Sequence, residues 1–561
     1  MLSAGGKVKL SGSRPWFKHW PAGVPQTIDY PRIPLDQVLR DTAAKYPERT
    51  AVTYFDHQMS YAELDAESDA FAAALQEMGV VKGDRVALFL PNVPQFVVAF
   101  FGTLKARAVV TSVNPLHKER EVAHQLMDAG AETIVALDSL ISIVEVASKR
   151  TRLRRAIVTG TKDYLGGTPA FEPRGDLRKQ SFMNLLRNHA SRRPVKSPLD
   201  PLEDLAVLQY TGGTTGTPKG AMLTHWNMVT NMFMFARWIK GSEKGETFLI
   251  VIPLSHIYGM TTSMNVSILL GGKMVLFPRF DPVATLESIQ VQRVSVFCGV
   301  PTMYAMLISH PKLGEYDLGS IRACISGSAP LPLRVMEKFA MITGGVVVEG
   351  YGLTEASPGT HCNPLDPSFA TIREGSIGLP FPDTDAMVVD VESGTKELSP
   401  GEVGELIVAG PQIMKGYWNN PEETGLVIRK GWLYTGDIAR MDEDGYFFIV
   451  DRKKDMIKYK DYSVYPRELE EILYEHPAVR LCAVIGKPRP VVGEIPKAFV
   501  VLKEGANATA QEMMEFVNSK VAPYKAVREV EFRKELPMTS VDKVFKRALQ
   551  EEEWSKPHSE G

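Results

Sequence analysis

The sequence predicts an α/β protein: a large N-terminal domain of helix-covered β-sheets, a small β-barrel-like subdomain, and a small α+β domain at the C-terminus. Three observations carry this expectation. Short β-branched runs alternate with helix-like segments through the first two thirds of the chain, the pattern of parallel sheets buried on both faces. From about Ile377 the texture shifts to brief strands broken by Gly and Pro turns. After "VDRKKD" a fresh run of helix and strand patterns begins, roughly a hundred residues long, the size of an independent domain. A chain of 561 residues is also too long for one compact core. The reading divides it into 1–451, with the β-rich subdomain at about 377–451, and 452–561.

In order, "RVALFL" reads as a strand, and a helical stretch follows it to Lys105. "AVVTSV" is a strand, "EREVAHQLMDAG" a helix and "TIVAL" a strand. Further strands are "TFLIVIP", "KMVLFP", "VSVFCGVP", "IRACISG" and "GVVVEGYG". The β-rich part contributes "AMVVD", "GELIVAG" and "GYFFIVD". In the tail, "YPRELEEILYEHPAV" is a helix, "LCAVIG" and "KAFVVL" are strands, a helix begins at Ala510, and "EVEFR" closes as a strand. The most apolar region, "VALFLPNVPQFVVAFFGTL", is broken by Pro91, Asn92 and Pro94. It falls short of the ~20 uninterrupted apolar residues of a membrane span, so it reads as buried strand, turn and packed helix.

Composition excludes several classes. A formal charge of −2 with no basic block gives no electrostatic footprint for nucleic acid. The 44% hydrophobic and 23% charged fractions rule out a disordered or fibrous chain. Cys298, Cys324, Cys362 and Cys482 are far apart with no C-x-x-C pair, which argues against zinc and a disulfide framework and for a reducing, cytoplasmic setting. Peripheral membrane contact and a homodimer stay open.

The chemistry concentrates in "LQYTGGTTGTPKGAMLTH", Leu208 to His225. Thr211, Thr214, Thr215 and Thr217 supply hydroxyls, and Gly212, Gly213 and Gly216 leave backbone N–H groups open to an oxyanion. Lys219 adds a point charge. A Walker A loop is excluded, because Pro218 precedes the lysine and Gly220 follows it where that motif needs glycine and a hydroxyl. A strand-like "DLAVLQY" before the loop and a helix-like "HWNMVTNMFMFA" after it favour a phosphate site over a flexible surface loop.

"YTGGTTGTPKG" resembles the signature loop of the adenylate-forming enzymes: acyl-CoA synthetases, aryl-CoA ligases, luciferases and peptide-synthetase adenylation domains. "SYAEL", "SGSAPL", "GYGLTE", "GELIVAGPQIMKGYWNNPEET", "YTGD", "DRKKDMIK" and "LPMTSVDK" follow in that family's order and cover nearly the whole chain from the mid-forties onward. The resemblance implies a two-step reaction. A carboxylate attacks the α-phosphorus of ATP to give acyl-AMP and pyrophosphate, and a thiol, usually that of CoA, then displaces AMP.

Residue by residue, the resemblance implies that Glu355 and Thr211 lie on the Mg²⁺ side and that Thr354 faces the α-phosphate. Ser328, Ala329 and Pro330, with Glu349, Gly350, Tyr351 and Gly352, match the adenine cradle. Asp437 matches the ribose carboxylate, which accepts two hydrogen bonds from a vicinal diol, with Arg452 beside it. Lys543 sits where the family keeps its adenylation lysine. Lys454 matches the hinge about which a mobile C-terminal lid swings, and Lys458 a lysine used around the thiol step. On the acyl side, His256 is expected to position rather than transfer protons, Met260 falls where some long-chain enzymes carry a gating tryptophan, and Gly299, Val300 and Gly327 belong to the pocket. Two positions depart from the pattern: Asp461 and Asp542 stand where glycine is usual. A carboxylate at the first adds bulk and repels a thiolate near the pantetheine arm.

The expected function is therefore ATP-dependent activation of a medium- or long-chain fatty acid and its transfer to CoA. The alternatives are an aryl-CoA (coumarate-like) ligase, a stand-alone enzyme loading a separate carrier protein, and a non-catalytic nucleotide sensor on the same fold.

Overall fold

Parallel strands need apolar cover on both faces, and the two large sheets obtain it from the helical segments between their strands. The computed structural model describes residues 14–167, 177–211, 218–241, 245–329, 331–460, 462–489, 491–538 and 544–555. The chain forms two compact units, one of residues 1–385 with 408–433 and the other of 386–407 with 434–561.

The first unit holds a seven-stranded and a nine-stranded sheet. In the seven-stranded sheet Arg85–Phe89 lies between Val109–Ser112 and Thr133–Leu137, all parallel. Helix Glu119–Ala129 presents Val122, Leu126 and Ala129, one face at helical spacing, to Phe89, Ile134 and Ala136. It ends at Gly130 in the left-handed conformation (φ +63°), where a Cβ would stand 2.8 Å from the Arg85 guanidinium. The apolar stretch after Arg85 is a strand and then helix Pro94–Lys105, with Pro94 in the first turn and the whole helix buried. Its one charge, Lys105, is neutralised by Asp65 at 2.6 Å and Asp69 at 3.1 Å. No helix among the described residues is long and apolar enough to cross a membrane.

The nine-stranded sheet has six parallel strands at its centre, from Thr50–Tyr54 through Lys273–Leu276, Thr247–Ile250, Val296–Gly299 and Ala323–Ser326 to Val346–Gly352. Antiparallel strands His57–Ser60 and Gly359–Cys362 flank this set.

Strand Trp432–Met441, which belongs to the second unit from Tyr434 on, pairs antiparallel with Phe447–Arg452. The tail sheet is built on the long hairpin of Val479–Arg489 and Gly493–Leu502, with Glu529–Phe532 added in parallel. Leu469 and Leu473, one turn apart on helix Pro466–Glu475, pack on Val484 and Val500 of that hairpin.

The helix-like segment expected after the threonine-glycine loop is the helix His225–Trp238, and a strand that the sequence did not single out precedes it. Lys219–Thr224 is first a strand, paired antiparallel with Leu205–Thr211 so that Thr211 faces Lys219, and the helix His225–Trp238 starts only after Thr224 caps it. Gly220, Ala221 and Leu223 are drawn into the sheet because they are buried there, whereas the polar loop hid that pairing in the sequence.

Burial also sets a pH dependence in this unit. Glu67, on helix Tyr61–Glu77, accepts the hydroxyl of the buried Tyr164, and desolvation pushes its carboxyl up to about 7. A carboxyl raised in the folded state favours folding below its ordinary value near 4.5, and that contribution is lost as pH rises through 7. Glu67→Gln is expected to remove this loss. The unfolding free energy of the wild-type chain should fall between pH 5 and pH 8.5 by more than that of the variant, by about 3 kcal/mol at most. Parallel pH profiles of the two proteins would refute the assignment.

Candidate functional site: three strand ends and a phosphate hairpin

The register of the nine-stranded sheet brings the predicted cradle together. Gly299 lies beside Ser326, and Ser326 beside Glu349, so the carboxyl ends of three adjacent parallel strands open on one edge. Ligands of α/β sheets bind outside such ends. Val300 and Gly327–Ala329 leave the first two strands there, and Gly350–Gly352 complete the third. Ser328 has a left-handed backbone (φ +71°), the strained turn that reverses the chain at the strand end. The buried carboxylate of Glu349 accepts the Leu331 N–H at 2.9 Å and so closes this turn. Pro330 lies outside the described residues. Gly352 is a close-approach glycine: a Cβ there would stand 2.2 Å from the Pro358 carbonyl, which lets the chain fold back and present the short helix Thr354–Ala356.

Next to the strand ends, the residues expected on the acyl side are ordered by two tyrosines that the sequence did not single out. The Tyr258 hydroxyl donates to the Ile325 carbonyl at 2.9 Å, and its ring lies 3.2 Å from where a Gly327 Cβ would be. The Tyr304 ring similarly stands 3.0 Å from a Cβ placed on Gly299. The small residues at 299 and 327 thus admit aromatic rings against the strand ends. His256 accepts the Tyr258 N–H on Nδ1 at 3.2 Å, which orients the imidazole, and Met260 is fully buried in the π-helical turn Gly259–Asn265.

The hairpin of Leu205–Thr211 and Lys219–Thr224 and the Thr354–Ala356 turn are tied by one further segment. Residues 212–217, with Gly212, Gly213, Thr214, Thr215 and Gly216, lie outside the described residues, but both rims of the loop, Thr211 and Lys219, are placed. The Met414 N–H donates to the Glu355 carbonyl at 2.8 Å, the Met222 N–H to the Gly416 carbonyl and the Lys415 N–H to the Met222 carbonyl, both at 2.9 Å, and Tyr417 bridges to Ala221. From this segment the Tyr417 hydroxyl donates to Glu355 Oε1 at 2.7 Å. That anion and burial push the phenol far above its ordinary value, so Tyr417 stays a donor. Lys219 is nearly buried, pairs with Glu423, and has its ammonium 5.4 Å from the Tyr417 ring centroid. Tyr417 and Glu423 lie in "GYWNNPEET", the end of a motif that the resemblance quoted without giving either residue a role.

These donors suit nucleotide-borne Mg²⁺. Among the described residues no group of three or more His, Cys, Asp or Glu could cage a metal. Glu355 offers a carboxylate with one oxygen already oriented by Tyr417. Mg²⁺ that keeps waters and phosphate oxygens needs only one or two protein ligands, so a single carboxylate such as Glu355 is chemically compatible with it.

In the second unit Asp437 and Arg452 face each other across the antiparallel pair, Arg452 Nε to Asp437 Oδ1 at 2.6 Å, with Asp437 buried. Lys454 follows in a turn and is exposed. The exposed Lys458 reaches Ser463 Oγ at 3.4 Å. Lys543, Asp542 and Asp461 lie outside the described residues. All four cysteines are free and buried.

The AMP-binding enzyme family profile matches residues 39–418, and that of the AMP-binding enzyme C-terminal domain matches 468–543. A long-chain-fatty-acid–CoA ligase of Bacillus subtilis (strain 168) is 44% identical over 98% of this chain and 100% of its own length. A protein of the same description from Escherichia coli O157:H7 is 39% identical over 96% of this chain and 98% of its own. Among solved structures, ATP-bound MatB from Rhodopseudomonas palustris is 29% identical and superposes with a TM-score of 0.81, covering 93% of this chain and 99% of that one.

Proposed function

The chain belongs to the AMP-binding enzyme family as an AMP-forming acid–CoA ligase, and we propose that its acid is a medium- or long-chain fatty acid. The carboxylate oxygen attacks the α-phosphorus of ATP, pyrophosphate leaves, and acyl-AMP remains. The CoA thiol then adds to the acyl carbon and AMP leaves, giving the thioester.

Phosphoryl transfer of this kind is positioning plus charge neutralisation. Lys219 and the threonine-glycine loop take the outer phosphates, Thr354 meets the α-phosphate, and Glu355 with Thr211 would hold a Mg²⁺ ion, which would supply charge neutralisation at the phosphate oxygens. Ser328, Ala329, Pro330 and Glu349–Gly352 hold the adenine, Asp437 with Arg452 the ribose, and Lys543 brings the two anions together. His256, Met260, Gly299, Val300 and Gly327 bound the acyl end. Lys454 is the hinge and Lys458 serves the thiol step. The free cysteines support a reducing, cytoplasmic location.

The observation that carries this reading is the register that sets Gly299, Ser326 and Glu349 side by side. The test is AMP and pyrophosphate release over acids of increasing length, with and without CoA. Release should depend on CoA for turnover, and kcat/KM should rise by about fourfold or less per added methylene until the pocket is full. Higher kcat/KM for aromatic acids, or pyrophosphate release with no thioester, would overturn it.

A further inference from the structure

The role of Glu423 follows from a bond it does not make. It is the third residue of helix Pro421–Val427, whose N-cap Asn420 accepts the Glu423 N–H at 3.1 Å. Glutamates at the same position of two other helices, Glu63 after Ser60 and Glu512 after Thr509, reach back to the N-cap backbone and complete a capping box. Glu423 does not complete one. Its carboxylate turns instead to Lys219, across 204 residues of sequence.

The pair is asymmetric in solvent. The Lys219 side chain is 8% exposed and that of Glu423 is 25% exposed. The lysine is held in place by its strand and by the Tyr417 ring, whereas the carboxylate is on the accessible side. A nearly buried ammonium needs a counter-charge at all times, and a carboxylate and a phosphate oxygen compete for the same donor.

We infer that Glu423 is an exchangeable counter-ion of the phosphate hairpin. It neutralises Lys219 when no polyphosphate is bound, gives the ammonium up to a phosphate oxygen, and takes it back as pyrophosphate leaves. Glu423 is thus a positioning residue that acts through Lys219. It weakens polyphosphate binding and speeds pyrophosphate departure. The inference rests on Lys219 being a phosphate ligand.

The experiment is calorimetric titration of the full-length protein with magnesium pyrophosphate. Glu423→Gln keeps the volume and leaves Lys219 uncompensated, so Kd should fall by about five- to tenfold at low salt, and the gain should shrink at high salt. Glu423→Ala should act in the same direction. Lys219→Met should raise Kd, and in that background Glu423→Gln should change nothing, because the effect passes through the lysine. Product inhibition by pyrophosphate should tighten in parallel in the Glu423 variants. Unchanged or weaker pyrophosphate binding in both Glu423 variants, with Lys219→Met still weakening it, overturns the counter-ion role alone. Unaltered binding in Lys219→Met overturns the phosphate assignment and the counter-ion role with it.

Discussion

Glu355→Ala is expected to lower carboxylate-dependent ATP–pyrophosphate exchange by about a thousandfold. The backbone of this turn is held independently of the side chain, through the Met414 N–H to the Glu355 carbonyl at 2.8 Å. The variant should therefore fold and lose only the carboxylate. On the proposed function, what is lost is the anion that would anchor nucleotide-borne Mg²⁺, so charge developing on the phosphate oxygens would no longer be met by a fixed cation. Glu355→Gln separates charge from hydrogen bonding, since the amide oxygen can still accept the Tyr417 hydroxyl now found at 2.7 Å. A loss as large as that of alanine identifies the charge as the operative property. Exchange within tenfold of wild type in the alanine variant would remove Glu355 from the metal site.

The second large effect separates the two half-reactions. Lys543→Ala is expected to depress acyl-AMP formation by about a hundredfold or more while thioester formation from supplied acyl-AMP stays within a few-fold of wild type. A lysine bridging the attacking carboxylate and the α-phosphate contributes only while both anions are present, and the thiol step has lost one of them. The residue lies outside the described positions, between Met538 and Val544, which are joined by an antiparallel bridge. Lys546, its neighbour in sequence, pairs with Glu470 at 2.7 Å and is mostly buried, so it is already committed to the tail's own structure. If the first half-reaction survives in Lys543→Ala, another cation performs this task.

Much of the architecture was legible because burial acts on neighbours along the chain. The runs at Arg85–Phe89, Thr133–Leu137 and Val296–Gly299 are apolar on both faces, as parallel strands under helices must be, and they are strands. The break at Pro91–Pro94 correctly separated a strand from a buried helix. The Lys219–Thr224 strand was missed because a short Gly-containing segment beside a polar loop carries no period of its own. Its partner, Leu205–Thr211, supplied the pairing.

For the site the division is sharper. Composition marked Thr211 and Lys219, since hydroxyls, open backbone and a single charge are local properties, whereas Glu349, Glu355 and Asp437 were marked only by their resemblance to the motifs of the adenylate-forming enzymes. Tyr417 on Glu355 and Glu423 on Lys219 had no such mark, because each contact joins residues far apart in sequence. The chain alone determined which chemistry is present, as residue types and their periodicity travel with the sequence. Only the tertiary structure decided which charges meet, because an ion pair depends on how strands cross and on the desolvation that makes an unpaired ammonium costly.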